Sequence, residues 1–171
     1  MRHAPEDAEL VSSAQRGDVE AFGVLYQRYF EVIYRYVRSR VTEDQTAEDL
    51  AEAVFLRSFE ALDKYRERGW PFSAFLYRIA KNLLADHFRH QPQEVSLERA
   101  GEVAIAAADE RVIERERRRA LQWALETLPR DYQEVVRLRV LLGLPTATVA
   151  EWLGRSEGAT RVLLSRALER L

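Results

Sequence analysis

The chain contains no cysteine, which excludes disulfides and thiolate metal sites and suits a reducing compartment. It has no uninterrupted apolar run long enough to cross a bilayer. Residues 1–7, MRHAPED, lack the apolar core of a signal peptide. These absences predict a soluble cytoplasmic protein with no membrane insertion. The strict polar–apolar alternation of strands is missing as well. So are a glycine-rich phosphate loop, a nucleophile–base pair and a convergent set of carboxylates, and nothing points to an enzyme. His87 and His90 stand beside Asp86, and His3 is the remaining histidine. A metal needs three or more convergent ligands with an oriented second shell. The pair therefore reads as solvated histidines near a helix end, and no metal or cofactor is expected.

What remains is helical. Apolar residues make up 47% of 171 residues and charged residues 32%, enough for one domain or two small ones and too apolar for disorder. Apolar positions recur at three and four throughout. A short helix is expected at 6–16, ending at Gly17. Asp18 is the N-cap of a long second helix with Phe22, Leu25, Tyr26, Tyr29, Ile33 and Val37 on one stripe. Thr42-Glu43-Asp44-Gln45 has capping-box spacing, so a third helix should run from there to about Asp63, burying Leu50, Val54, Ala61 and Leu62. Gly69 and Pro71 break the chain before a fourth helix, which reaches Arg89 with Phe72, Leu76, Ile79, Leu83 and Leu84 inward.

Residues 91–108, with Pro92, Gly101 and little periodicity, read as an inter-domain linker. The predicted architecture is therefore all-α: an N-terminal four-helix bundle at 1–90, the linker, and a C-terminal helical domain at 109–171. A charged helix should begin near Asp109 with Val112, Ile113, Ala120, Leu121, Ala124 and Leu125 inward. Pro129 fits the first turn of the next helix, carrying Tyr132, Val135, Val136, Leu138 and Val140. Gly143 and Pro145 close it. Thr146 can cap a short helix to Leu153, Gly154 can make the turn, and Ser156 can cap the last helix.

Two segments carry functional chemistry. The formal net charge of −2 disfavours nucleic acid overall, but local charge matters more. Residues 64–90 hold six Lys/Arg against Glu67 and Asp86, a formal +4. They interleave Lys64, Arg66, Arg68, Arg78, Lys81 and Arg89 with Tyr65, Trp70, Phe72, Phe75, Tyr77 and Phe88, a composition suited to stacking on unpaired bases. Phe72 falls on the core stripe, whereas Tyr65 and Trp70 sit in the loop. Tyr77, Arg78, Lys81, Asn82 and Arg89 lie off the stripe.

Residues 128–171 hold seven Arg against five acids, a formal +2, and form a helix-turn-helix pattern suited to the major groove. On the last helix Thr160, Leu164, Ala167, Leu168 and Leu171 should be core. Gly158, Ala159, Val162, Ser165, Arg166 and Glu169 should face out, with Arg161 at the edge. Arg161, Arg166 and Ser165 can reach phosphate or base, and Val162 can meet a thymine methyl or a protein. A chain with both segments suits DNA that is duplex in one place and open in another, as at a promoter. Neither basic segment is strong enough for tight unaided binding, so a partner supplying positive surface is expected. A stand-alone helix-turn-helix regulator and a helical adaptor using Val162 and Leu163 are the rival readings.

At this point the chain resembles the extracytoplasmic-function sigma factors of bacterial RNA polymerase, over nearly its whole length except the linker. AEDLAEAVFLR at 47–57 looks like the family's polymerase-binding helix, and FSAFLYRIAKNLLADHFR at 72–89 like its promoter-melting, minus-ten helix. LPRDYQEV at 128–135 and GATRVLLSRA at 158–167 resemble the ends of its minus-thirty-five domain.

The resemblance implies that Asp49, Glu52, Phe55 and Leu56 contact the polymerase clamp. It places Asn82 and the loop Tyr65, Arg66, Arg68 and Trp70 at a flipped minus-ten base, with Tyr77, Arg78, Lys81 and Arg89 alongside. It places Arg155, Ser156, Arg161, Val162, Ser165 and Arg166 at the upstream element. It also implies core RNA polymerase and promoter DNA as partners, no cofactor, and no catalysis by the chain itself. Family members are commonly held inactive by an anti-sigma partner; nothing in the sequence identifies one. The chain departs from the family's usual pattern at Glu52, Ala53, Phe75, Thr148, Ala159-Thr160, Val162 and Leu163. The last set makes its upstream-reading face more apolar, which predicts weak upstream-element recognition or a protein docked there.

Overall fold

The computed structural model describes residues 6–66, 70–90 and 110–171. Every regular element among them is helical, as two small domains. The linker assigned to 91–108, together with Arg68 and Gly69, lies outside the described residues. The N-terminal domain comprises α1 (Asp7–Gln15), α2 (Val19–Arg38), α3 (Asp44–Glu60), a 3-10 turn (Leu62–Lys64) and α4 (Phe72–His90).

Local chemistry sets the start of α2. The Asp18 carboxylate accepts from the backbone N–H of Glu20 at 3.0 Å and of Ala21 at 3.2 Å, satisfying donors that have no partner inside the helix. Asp18→Ala is expected to cost about 1 kcal/mol, read as a lower urea midpoint at unchanged m value. The expected capping box of α3 does not form. Its N-cap is Glu43, without a side-chain cap bond. Val41 is buried and its carbonyl is held by Arg38 at 2.7 Å, which leaves Thr42 outside the helix.

Three helices of this domain meet on fully buried Leu25, Ile33, Tyr36, Val37, Val54 and Leu76. Leu62 is buried as expected, while Leu50 is only half-buried. Phe55 is 3% exposed and meets the Tyr26 ring edge-on at 4.8 Å, a favoured aromatic geometry.

The C-terminal domain comprises α5 (Glu110–Glu126), α6 (Arg130–Val136) continuing into a π-turn (Arg137–Leu141), α7 (Thr146–Leu153) and α8 (Glu157–Leu168). Its core includes Leu125, Leu128, Val135, Leu138, Val149, Trp152, Thr160 and Ala167. Several inward expectations fail here. Val112, Ile113 and Leu121 are exposed, whereas Leu125 in the C-terminal turn of α5 is fully buried. Val140 is exposed; the wider turn, with Leu142 N–H donating to the Arg137 carbonyl at 2.9 Å, shifts the phase of the helix and rotates Val140 outward. Leu168 and Leu171 at the end of α8 are also exposed. Pro145, not Thr146, precedes α7 as N-cap, without a side-chain bond.

The turn between α7 and α8 follows the sequence expectation. Gly154 sits at φ 65°, ψ 39°, the left-handed region, where a Cβ is strained. The Ser156 hydroxyl accepts from Ala159 N–H at 3.2 Å. A Cβ on Gly154 would also stand 2.7 Å from Cη2 of Trp70. Gly154→Ala is expected to destabilise by about 1–2 kcal/mol from backbone strain, measured by chemical denaturation, and to displace the Trp70 ring.

The domains touch through α2, the segment after it and α4. Trp152 of α7 stacks on Tyr77 at 4.9 Å and donates its indole N–H to Ser73 Oγ at 3.0 Å. Glu134 of α6 accepts from Tyr77 Oη at 2.7 Å and Tyr36 Oη at 3.0 Å and pairs with Arg40. Arg35 donates to the Leu141 carbonyl at 3.0 Å.

Candidate nucleic-acid interface

Helix α4 separates its residues by period. Phe72, Leu76, Ala80, Leu83 and Leu84 are buried, whereas Arg78, Lys81, Asn82, Ala85 and Arg89 are exposed. The spacing 78, 81/82, 85, 89 puts the exposed set on one face. Arg78 lies 4.3 Å over the Trp70 ring and Lys81 5.6 Å from the Tyr77 ring, so both cations are presented beside aromatic faces. Arg89 pairs with Asp86 within the same helix. Lys81 and Arg89 line a cleft of about 810 Å³ with Arg40 and Arg130, against Asp131 and Glu134, which keeps positive charge beside α4.

Two residues expected to be available to bases are not. Tyr65 is buried against Phe72 and Phe75 and donates its hydroxyl to the Trp70 carbonyl at 2.8 Å. Tyr77 is 1% exposed, held between α2 and α7. Burial pushes both the Tyr36 and Tyr77 hydroxyls far above the usual tyrosine range, with the Glu134 charge adding to it. Arg66 is engaged as well, donating to the carbonyls of Asp63 at 2.6 Å and Tyr65 at 2.8 Å.

On α8 the expected outward residues are exposed: Gly158, Ala159, Arg161, Val162, Ser165, Arg166 and Glu169. Arg161 pairs with Glu157 at 2.6 Å and Arg155 with Asp131 at 2.5 Å. Such exposed pairs hold their partners by about 1 kcal/mol or less, so either arginine can exchange to phosphate. Leu163 is half-buried against the core, which leaves Val162 as the exposed apolar residue of the Val162/Leu163 pair.

Helix α3 carries a third face. Asp49, Glu52, Leu56 and Phe59 are exposed along one stripe, with Leu56 61% and Phe59 45% exposed. Phe55 lies beside the stripe but inside the core. Phe59 was not anticipated. It meets Phe22 edge-on at 4.9 Å while keeping one side open, and its signal was its place one turn beyond Leu56.

Residues 25–93 match the Sigma-70 region 2 family model and residues 118–171 match Sigma-70, region 4. The chain is 36% identical over 172 residues to the ECF RNA polymerase sigma factor SigD of Mycobacterium tuberculosis, covering 95% of this chain and 80% of SigD. The chain belongs to the extracytoplasmic-function sigma factors. ECF RNA polymerase sigma factor BldN of Streptomyces coelicolor is 39% identical over 168 residues; the match covers 95% of this chain but spans 63% of BldN. CnrH, solved in complex with the cytosolic domain of CnrY, superposes with a TM-score of 0.70 at 24% identity, over 96% of this chain and 93% of that one. This shows the shared fold. The matched regions place α3 and α4 within region 2, and α6, the turn and α8 within region 4. Among the described residues, no helix is long and apolar enough to cross a membrane.

Proposed function

We propose that the chain is a promoter-specificity subunit that binds core RNA polymerase, recognises promoter elements and helps open the DNA. Its units are 1–90 for polymerase and the minus-ten element, 91–108 as linker, and 109–171 for the minus-thirty-five element. Polymerase docks on the α3 stripe of Asp49, Glu52 and Leu56, extended by Phe59. Trp70, Arg78, Lys81, Asn82 and Arg89 hold the non-template strand once the duplex opens. Arg155, Ser156, Arg161, Val162, Ser165 and Arg166 face the upstream duplex.

The observation that carries this reading is the co-occurrence of regions 2 and 4 in order, each bearing an exposed face of the required chemistry. Stacking contributes about 1–3 kcal/mol per base, so one or two captured bases offset part of the opening cost. Catalysis belongs to the polymerase, and the chain works in the cytoplasm. A protein partner of the anti-sigma kind fits the family and is part of the proposal.

The test is size-exclusion chromatography of the purified chain with core RNA polymerase, alongside unaided binding to duplex DNA. The proposal expects co-elution and little specific duplex binding by the chain alone. Tight unaided binding without co-elution would mark a stand-alone regulator. Absence of both, in a folded sample, would mark an adaptor.

A further inference from the structure

We propose that α8 recognises the upstream element by the 5-methyl group of a thymine, held against Val162; this rests on the sigma-factor reading and names the base feature that its upstream face takes.

The outward face of α8 is apolar at its centre. Gly158 and Val162 stand one turn apart on it, with Ala159 beside them. All three are exposed, Val162 at 51%, and none of their side chains can donate or accept a hydrogen bond. Charge surrounds them. Arg155 precedes the helix, Arg161 stands at the edge of the face and Arg166 lies one turn beyond Val162, all exposed. Glu157 is tied to Arg161 at 2.6 Å, and Glu169 accepts from the Ser165 hydroxyl at 3.3 Å.

Three arginines around an apolar centre match a surface with phosphates on its flanks and an apolar group between them. The major groove of duplex DNA has that layout. Phosphates line its walls, and of the base edges on its floor only thymine carries an apolar group, the C5-methyl. A guanidinium or carboxamide at position 162 could hydrogen-bond to guanine or adenine; valine leaves the methyl as its match. A docked protein fits less well, because interface cores are depleted of charge and wider than one valine and one alanine.

Gly158 points the same way independently. Glycine is a poor helix former, yet nothing inside the chain requires it: a Cβ there would meet no atom within 4 Å. The missing side chain leaves its space outside the chain, in the first turn of α8, and it is the first residues of a recognition helix that contact base edges. Short side chains at 158 and 159 let the helix come close enough for valine, itself short, to reach the methyl.

The test uses holoenzyme assembled from the full chain and core polymerase. It selects from a duplex library randomised across the promoter region. The enriched upstream block is rebuilt with deoxyuridine in place of each thymine in turn, which keeps the base pair and removes only the methyl. One position should lose about fourfold in holoenzyme affinity, the scale of one buried methyl-sized group. With Val162→Ala the thymine and uracil duplexes should bind alike. The urea midpoint of that variant should not fall, since Val162 is exposed and alanine is the better helix former. Gly158→Leu should keep its midpoint too, and should weaken binding of the thymine duplex more than Val162→Ala does.

An upstream block without thymine on either strand, or uracil tolerated at every position, overturns the proposal. So does a uracil effect that Val162→Ala leaves intact, or full binding by Gly158→Leu. Enrichment of a minus-ten block alone overturns it as well, marking weak upstream reading, and leaves the sigma reading standing. Failure of the chain to co-elute with polymerase sinks the sigma reading and this proposal with it.

Discussion

Leu56→Asp is expected to abolish co-elution with core RNA polymerase while leaving the urea midpoint of the free chain within experimental error. Leu56 is 61% exposed on α3, so a charge there meets water in the free chain and costs little stability. In a protein interface the same position would be desolvated. A central apolar anchor replaced by a charge loses at least about 2 kcal/mol of binding, roughly thirtyfold in affinity. Phe55→Asp is the instructive contrast. Phe55 is 3% exposed and packed on Tyr26 and Phe30. Losing such a ring costs about 3–5 kcal/mol before the buried charge is counted. That variant should lose co-elution by unfolding the N-terminal domain, visible as loss of helicity. If Leu56→Asp co-elutes normally, the α3 stripe is not the docking face.

Asn82→Ala is expected to leave polymerase co-elution intact and to reduce promoter opening, measured as permanganate-reactive thymine or as the amplitude of abortive transcripts. The side chain is exposed on the α4 face between Arg78 and Arg89, so truncation removes no core packing. A carboxamide offers a donor and an acceptor together, which matches the edge of an unpaired base. Loss of such a paired contact is worth about 1–3 kcal/mol, roughly five- to 150-fold in the opening equilibrium. Equal loss of opening and polymerase binding would count against a role in strand capture.

The parts of the molecule legible from the sequence were those decided within a few residues. Asp18 and Ser156 cap because a short acceptor stands next to N–H groups that have no other partner. Gly154 turns because the left-handed region is cheap only for glycine. The outward face of α8 and the exposed face of α4 followed from the helical repeat, and the two regions of the family were readable from motifs in order. Where a local rule had a competitor, it misplaced the element. Thr42 has the spacing of a cap, but burial of Val41 and the grip of Arg38 on its carbonyl start the helix later.

The tertiary structure decided which side chains are covered, because periodicity says which residues share a face and not whether that face finds a partner. Val112, Ile113, Leu121, Leu168 and Leu171 have the pattern of core residues, yet among the described residues no helix packs over them closely enough to bury them. Tyr77 lies off the apolar stripe of α4, but α2 and α7 close on it from two sides. Tyr65 belongs to a loop by sequence and to the core by the ring contacts that Phe72 and Phe75 offer. Glu134 is the sharpest case. As a glutamate on a short helix it has every local reason to be solvated. It is buried because two tyrosines and an arginine from the other domain, 57 to 98 residues away in the chain, converge on its carboxylate. The sequence by itself determined the helices, their turns and the family. The tertiary structure determined that charge's surroundings, because the groups that hydrogen-bond to it stand far from it in the chain.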